Sequence, residues 1–73
     1  MLTIGKLAKQ AGVSNETIRY YQRIGLLRIP ESTQAYRYYQ ENDLERLLFI
    51  KRAKQAGLQL NEIAELLALD GMQ

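Results

Sequence analysis

The four residues "AGVS" at 11–14 constrain this chain more than any other feature. Ahead of them, Ile4, Leu7, Ala8 and Ala11 recur at helical spacing, with Thr3 placed to cap the start. Gly12 is a natural helix stop, and two residues on Ser14 is a strong N-cap for a new helix. Counted from Ser14, the fourth helical residue is Ile18, so Val13 and Ile18 can form a hydrophobic staple over the second start. Gly25 ends that second helix. Two short helices joined by a tight turn containing Gly make the helix-turn-helix pattern.

The second of these helices holds "SNETIRYYQRIG", which packs two arginines and two tyrosines into a few turns. With Ile18 at zero on a helical wheel, Tyr21 falls at about 300°, Thr17 at about 260° and Ile24 at about 240°, giving an apolar face. Asn15, Arg19, Arg23, Glu16 and Tyr20 spread from about 60° to about 200° on the other side. Tyr21 stands at the core boundary, where its ring can pack while its hydroxyl reaches out. On a lone helix such charges are ordinary solvated surface. As second helix of a helix-turn-helix, however, this one occupies the position that enters a DNA major groove.

Residues 26–39, "LLRIPESTQAYRYY", predict a small hairpin. Leu26 to Ile29 is apolar and β-permissive, Pro30 to Gln34 is a turn cluster, and Tyr36 to Tyr39 favours strand. Arg28 and Arg37 would then lie on its strands. Packing alone can explain three tyrosines around one arginine, since strands this short need an apolar neighbour. A basic, aromatic hairpin beside a helix-turn-helix also suits gripping phosphates. Two further helices follow. Leu44, Leu47, Leu48, Ile50 and Lys51 mark a segment ending near Ala56–Gly57, and Leu60, Ile63, Ala64 and Leu67 mark a second stripe reaching Asp70–Gly71. Their leucines are core residues by periodicity. Lys54, in the basic cluster "KRAK", either faces solvent or lies beside the second helix and adds a phosphate contact.

Charge distribution agrees with this division. Residues 1–39 carry a net +4 and residues 40–73 a net −2, within an overall +2. The first half is therefore the candidate for a polyanion and the second half a scaffold. At 73 residues, 47% of them hydrophobic, the chain supports one small core and argues against disorder. It has no cysteine and no histidine, which removes disulfides and the usual zinc, copper and thiol chemistry from this chain. There is no apolar run of membrane-spanning length, and "MLTIGKLAKQ" lacks a signal peptide's apolar core, so a cytoplasmic protein with no membrane partner is expected. An enzyme is disfavoured, because no carboxylate pair, nucleophile–base pair or phosphate-cradling Gly loop occurs at usable spacing.

"LTIGKLAKQAGVSNETIRYYQRIGLL", followed by "YRYY" and then "LNEIAELLALDG", resembles the DNA-binding domain of the MerR family of bacterial transcription regulators. The resemblance runs in order over essentially the whole chain and is nearest to the metal-responsive, mercury-type group. It implies a mainly α fold: a winged helix-turn-helix with a two-stranded wing, followed by a helical pair. The boundaries are helix-turn-helix 3–25, wing 26–39 and helical pair 41–70. The family's members are homodimers on inverted-repeat promoter operators, whose over-long spacer they bend and untwist for RNA polymerase.

Carried over by position, the resemblance puts Thr17 and Arg19 at the recognition helix, meeting base edges and backbone. It puts Tyr20 and Tyr21 on phosphates near the distorted centre, helped by Lys54, with Arg37 and Tyr38 anchoring the wing. Asn15 and Arg23, on the same outward face, complete the DNA-binding set. The chain also departs from the family. Its third and fourth helices begin at Gln40 and Gln59, which are poor caps, unless Asn42 and Asn61 shift the starts. The family's long dimerisation helix and effector region are not in these 73 residues, nor are the cysteines with which metal-sensing members bind ions. Hence no cofactor is expected in this chain, and the end "LALDGMQ" suggests a fragment of a longer regulator rather than a natural short relative. Dimerisation should be weak or absent without the long helix. Two other readings remain at this point: a DNA-architectural accessory such as an excisionase, and a protein-interaction module meeting an acidic partner.

Overall fold

Local signals build the first two helices. The computed structural model describes residues 2–33 and 36–69, with the backbone alone at 32, 33, 36 and 37. Helix α1 is Ile4–Ala11, its start capped by the Lys6 N–H donating to Thr3 Oγ1 at 3.3 Å. Gly12 stops it with φ +71°, a conformation that suits glycine. The Gly12 N–H donates to Lys9 O and the Val13 N–H to Ala8 O, the paired bonds that close a helix end and turn the chain. Helix α2, Asn15–Arg23, starts as its cap predicts, with the Thr17 N–H donating to Ser14 Oγ at 3.1 Å. Val13 packs against a buried cluster that contains Ile18, as the staple requires.

Two more helices, α3 (Glu41–Gln55) and α4 (Leu60–Leu69), follow a two-residue-per-strand ladder. In that ladder β1 (Ser32–Thr33) pairs antiparallel with β2 (Tyr36–Arg37), Ser32 opposite Arg37 and Thr33 opposite Tyr36. An isolated bridge joins Leu2 to Tyr39, their amides exchanging bonds of 2.9 and 2.7 Å. The domain is thus mainly helical, with four helices among the described residues.

The core has two parts. Leu7, Ala8, Ala11, Ile18, Leu27, Tyr39 and Leu47 are buried between α1, α2 and α3. Leu26, Ile50, Ala53, Ile63 and Leu67 are buried between α3 and α4. Tyr21 packs against both. At the usual 1.5–3 kcal/mol for each fully buried large aliphatic side chain, these clusters supply most of the drive to fold.

Several expectations need correction. Leu26 to Ile29 is not a strand, so the ladder occupies only the later part of the expected 26–39 hairpin. The N–H groups of Leu26 and Leu27 both turn back to Tyr21 O, at 2.8 and 3.2 Å, and are not available for strand pairing. Leu27 enters the first cluster and Leu26 the second, so this connector binds the two halves of the core. Ile24, expected on the apolar face, is 45% exposed because α2 ends at Arg23 and the wheel no longer applies. Ala64 is exposed as well, leaving Ile63 and Leu67 to carry the buried stripe of α4. Asn42 and Asn61 do not shift the helix starts. Carboxylates three residues after the glutamines stabilise those starts instead: the Gln40 N–H donates to Asp43 Oδ2 at 2.7 Å and the Gln59 N–H to Glu62 Oε1 at 2.8 Å.

Arg28 is also not a free surface cation. Its guanidinium meets the buried Asp43 carboxylate in a fork, with Nε to Oδ1 at 2.9 Å and Nη2 to Oδ2 at 2.7 Å. Arg46 Nε donates to Leu26 O at 2.8 Å, so α3 holds the connector at two points. From α2, Gln22 Nε2 reaches both Arg28 O (3.2 Å) and Tyr39 Oη (2.9 Å). Lys51 Nζ crosses to the end of α1 and donates to Ala11 O and Gly12 O, at 3.2 and 3.1 Å. A cation is well placed there, where the carbonyls of a helix C-terminus concentrate negative charge.

Candidate nucleic-acid interface

The outward face of α2 forms one wall of an open groove, and α3 with the start of α4 forms the other. Thr17, Arg19, Tyr20, Tyr21 and Arg23 line it from α2, joined by Ser14 and Glu16 from the start of that helix. Lys54 of α3 and Leu60 of α4 face them. The geometry follows from the core: Ile18 points inward, which turns the residues on either side of it outward, and Ile50 and Ala53 seat α3 so that the adjacent Lys54 is exposed beside α2.

Within the groove the aromatic and cationic groups are ordered. The Tyr20 and Tyr21 rings lie 6.0 Å apart between centroids, tilted by 48°. The Arg23 guanidinium sits over Tyr20, its Cζ 5.7 Å from the ring centroid, within the range of a cation–π contact. Such a contact restrains a long side chain without neutralising it. Tyr21 is half-buried, and burial, followed by the neighbouring Tyr20, raises its pKa above the ordinary tyrosine value. Its hydroxyl is therefore protonated at neutral pH and can donate to an anionic oxygen. Ser14 Oγ and Thr17 Oγ1 lie 2.9 Å apart and fix each other at the helix start.

Six of the nine residues expected to bind DNA are thus gathered here. Thr17, Arg19, Tyr20, Tyr21, Arg23 and Lys54 share the groove. Asn15 is exposed on the first turn of α2 but does not line it. Tyr38 is 38% exposed beyond the ladder and is likewise not part of the groove wall. The Arg37 backbone lies in β2, and its side chain lies outside the described residues. Sequence reasoning missed Ser14 and Leu60 as groove residues and left Glu16 without a role. For Ser14 and Glu16 the signal was adjacency to Thr17 on one helix face, whereas Leu60 comes from a different helix and no local spacing marks it.

Among the described residues no helix is long and apolar enough to cross a membrane. Nor do three or more acidic side chains there come together in a way that could hold a metal ion. The arrangement is suited instead to a polyanion: three cations and two tyrosines on a concave surface, set around an exposed helix face.

Comparison with known proteins points the same way. The model of the MerR HTH family of regulatory proteins matches residues 2–70. The mercuric resistance operon regulatory protein of Shigella flexneri is 56% identical over 70 residues, covering 94% of this chain and 49% of that protein. The corresponding protein of Bacillus cereus is 51% identical over 67 residues, covering 90% and 51%. The chain therefore spans about half the length of these relatives. Among solved structures, the transcription regulator PbrR691 from Ralstonia metallidurans CH34, in complex with lead(II), superposes with a TM-score of 0.89 at 40% identity, over 97% of this chain and 56% of that one. HiNmlR, a MerR family regulator lacking the sensor domain and bound to promoter DNA, superposes with a TM-score of 0.79 at 29% identity, over 93% and 55%.

Proposed function

The chain belongs to the MerR HTH family of regulatory proteins, and from that premise we propose that it binds promoter DNA sequence-specifically, as the DNA-binding module of a transcription regulator that distorts its operator. The observation that carries this reading is the groove itself. Arg19 and Arg23 from the second helix and Lys54 from the third converge on one concave face, in a fold shared with a regulator solved on promoter DNA.

In this reading α2 enters the major groove. Thr17 and Arg19 meet base edges and backbone, and Asn15 approaches the adjoining phosphates. Tyr20, Tyr21 and Lys54 hold phosphates near the centre of the site, where Arg23 adds charge. The β1–β2 ladder acts as the wing, with Arg37 and Tyr38 on the backbone beside it. The target is an inverted repeat met by two copies of a full-length protein, with weak or no dimerisation by this chain alone. RNA polymerase responds to the altered DNA rather than touching this module. The setting is the bacterial cytoplasm and nucleoid, and the module works without a cofactor of its own.

Fluorescence anisotropy with an inverted-repeat promoter duplex and a shuffled duplex, each at low and moderate salt, tests the proposal. Preference for the repeat, with affinity falling steeply as salt rises, is the expected result. Equal affinity for both duplexes would leave an architectural DNA binder. No binding to either at low salt, even after fusion of a dimerising coiled coil to the C-terminus, would remove the DNA reading altogether.

A further inference from the structure

Glu16 is an anion in the wrong place for a surface that only grips phosphates. It lies on the first turn of α2, is exposed, and lines the same groove as Arg19, Arg23 and Lys54. Among the described residues no cation lies within ion-pair distance of it, since the ion pair formed is Arg28–Asp43. Facing a duplex, an unpaired carboxylate repels phosphates and loses its water, a cost that must be offset by a hydrogen-bond donor on the DNA. The major groove presents such a donor most cleanly at cytosine N4. Adenine N6 is a donor too, but the acceptor N7 beside it opposes the second carboxylate oxygen.

Arg19 lies three residues further along the helix, about 60° round it and about 4.5 Å up its axis. One base step is about 3.4 Å along a strand, so two side chains so placed reach the same or adjacent base pairs. We propose that Glu16 is a specificity-determining residue that selects a cytosine through its N4 amino group, next to or paired with a guanine met by Arg19. This rests on the DNA-binding reading above and adds to it which base one residue selects. A carboxylate there also rejects thymine and guanine, whose major-groove edges present acceptors where cytosine presents a donor.

The test is selection from a random duplex library by the parent chain, Glu16→Gln and Glu16→Ala, each fused to the same C-terminal coiled coil, followed by sequencing. Anisotropy on the selected duplex and its single-base variants then gives the affinities. The parent should prefer cytosine at one position in each half-site by about tenfold or more, in line with one specific base contact. Glu16→Gln should move that preference to adenine, which a side-chain amide meets at N6 and N7, and Glu16→Ala should abolish it. A favourable charge at the start of α2 would change only the unfolding midpoint, not the base preferred. Both variants binding every duplex more tightly with an unchanged preference would overturn the proposal while leaving DNA binding intact. Failure of the parent to enrich any sequence overturns the sequence-specific reading, and this inference with it, whether or not non-specific DNA binding remains.

Discussion

Removing Arg28 should harm the fold more than removing the charge of its partner. The Asp43 side chain is 3% exposed, whereas that of Arg28 is 45% exposed. In Arg28→Leu the buried carboxylate keeps only the Gln40 N–H, and loses two charge-assisted bonds of 2.9 and 2.7 Å. Stripping one partner from a buried pair costs about 3–5 kcal/mol. The solvent-open end of this pair lets water approach the carboxylate, which brings the expected loss to about 3 kcal/mol. In Asp43→Asn the guanidinium regains water, and the amide oxygen can still accept from Gln40, so about 1–2 kcal/mol is expected from the lost charge-assisted bonding. A domain of this size holds roughly 4–11 kcal/mol in total, so the first substitution removes a large share of it. Replacing both residues by leucine should recover part of the Arg28→Leu loss, because no buried charge is then left over. Urea unfolding at neutral pH measures all three variants, with the slope checked for constancy. Equal losses for the two single variants, or an Arg28→Leu loss below about 1 kcal/mol, would mean that the pair behaves as a solvent-screened surface contact and that the asymmetry argument is wrong.

Lys51→Met should cost about 1–2 kcal/mol by releasing the end of α1, and Gly12→Ala a similar amount from its left-handed backbone. A Cβ at Gly12 also runs into Lys51 Nζ, so the two losses should add to less than their sum; strict additivity in a double-mutant cycle would sink the coupling. Arg19→Ala should lose about 1–3 kcal/mol on the specific duplex and little on a shuffled one. Lys54→Ala and Arg37→Ala should instead weaken both alike and flatten the salt slope, with anisotropy deciding which pattern each variant follows. Because the pKa of Tyr21 is raised on folding, its contribution to stability is complete below the ordinary tyrosine value and lost as pH climbs through the folded one. The gap in urea midpoint between the parent and Tyr21→Phe should stay level at neutral pH and shift in the alkaline range; a gap constant throughout would remove the linkage.

Features encoded within a few residues were legible in the chain. Thr3, Gly12 and Ser14 mark helix boundaries by their own side chains or the lack of one, and Val13, just ahead of the Ser14 cap, packs against the cluster that holds Ile18 as the staple pattern predicts. Arg19, Tyr20 and Arg23 could be assigned to the outward face by the same spacing. What escaped depends on partners far along the chain. Asp43 and Arg28 are fifteen residues apart, and Lys51 reaches Ala11 across forty. Leu26 to Ile29 has strand-like composition, but tertiary bonds to Tyr21 and packing into two clusters overrule that preference. The starts of α3 and α4 fall at Gln40 and Gln59 as the spacing predicts, but what stabilises them is hidden from a residue taken alone, because the carboxylates of Asp43 and Glu62 three residues on accept from the glutamine N–H groups.

The bridge between Leu2 and Tyr39 closes the first half of the chain into a ring. Drawing together the ends of so long a segment costs on the order of 3 kcal/mol in chain entropy, more than two backbone bonds return. The bridge therefore depends on Leu7, Ile18 and Leu47 holding α1, α2 and α3 together. It is expected to be among the first contacts to open, which early exchange of the Leu2 and Tyr39 amide hydrogens relative to those of the helices would show. Tyr39 belongs to this bridge and to the buried first cluster alike, and its hydroxyl accepts from Gln22 near the end of α2. One side chain thus ties the second residue of the chain, the core and the last turn of α2 together.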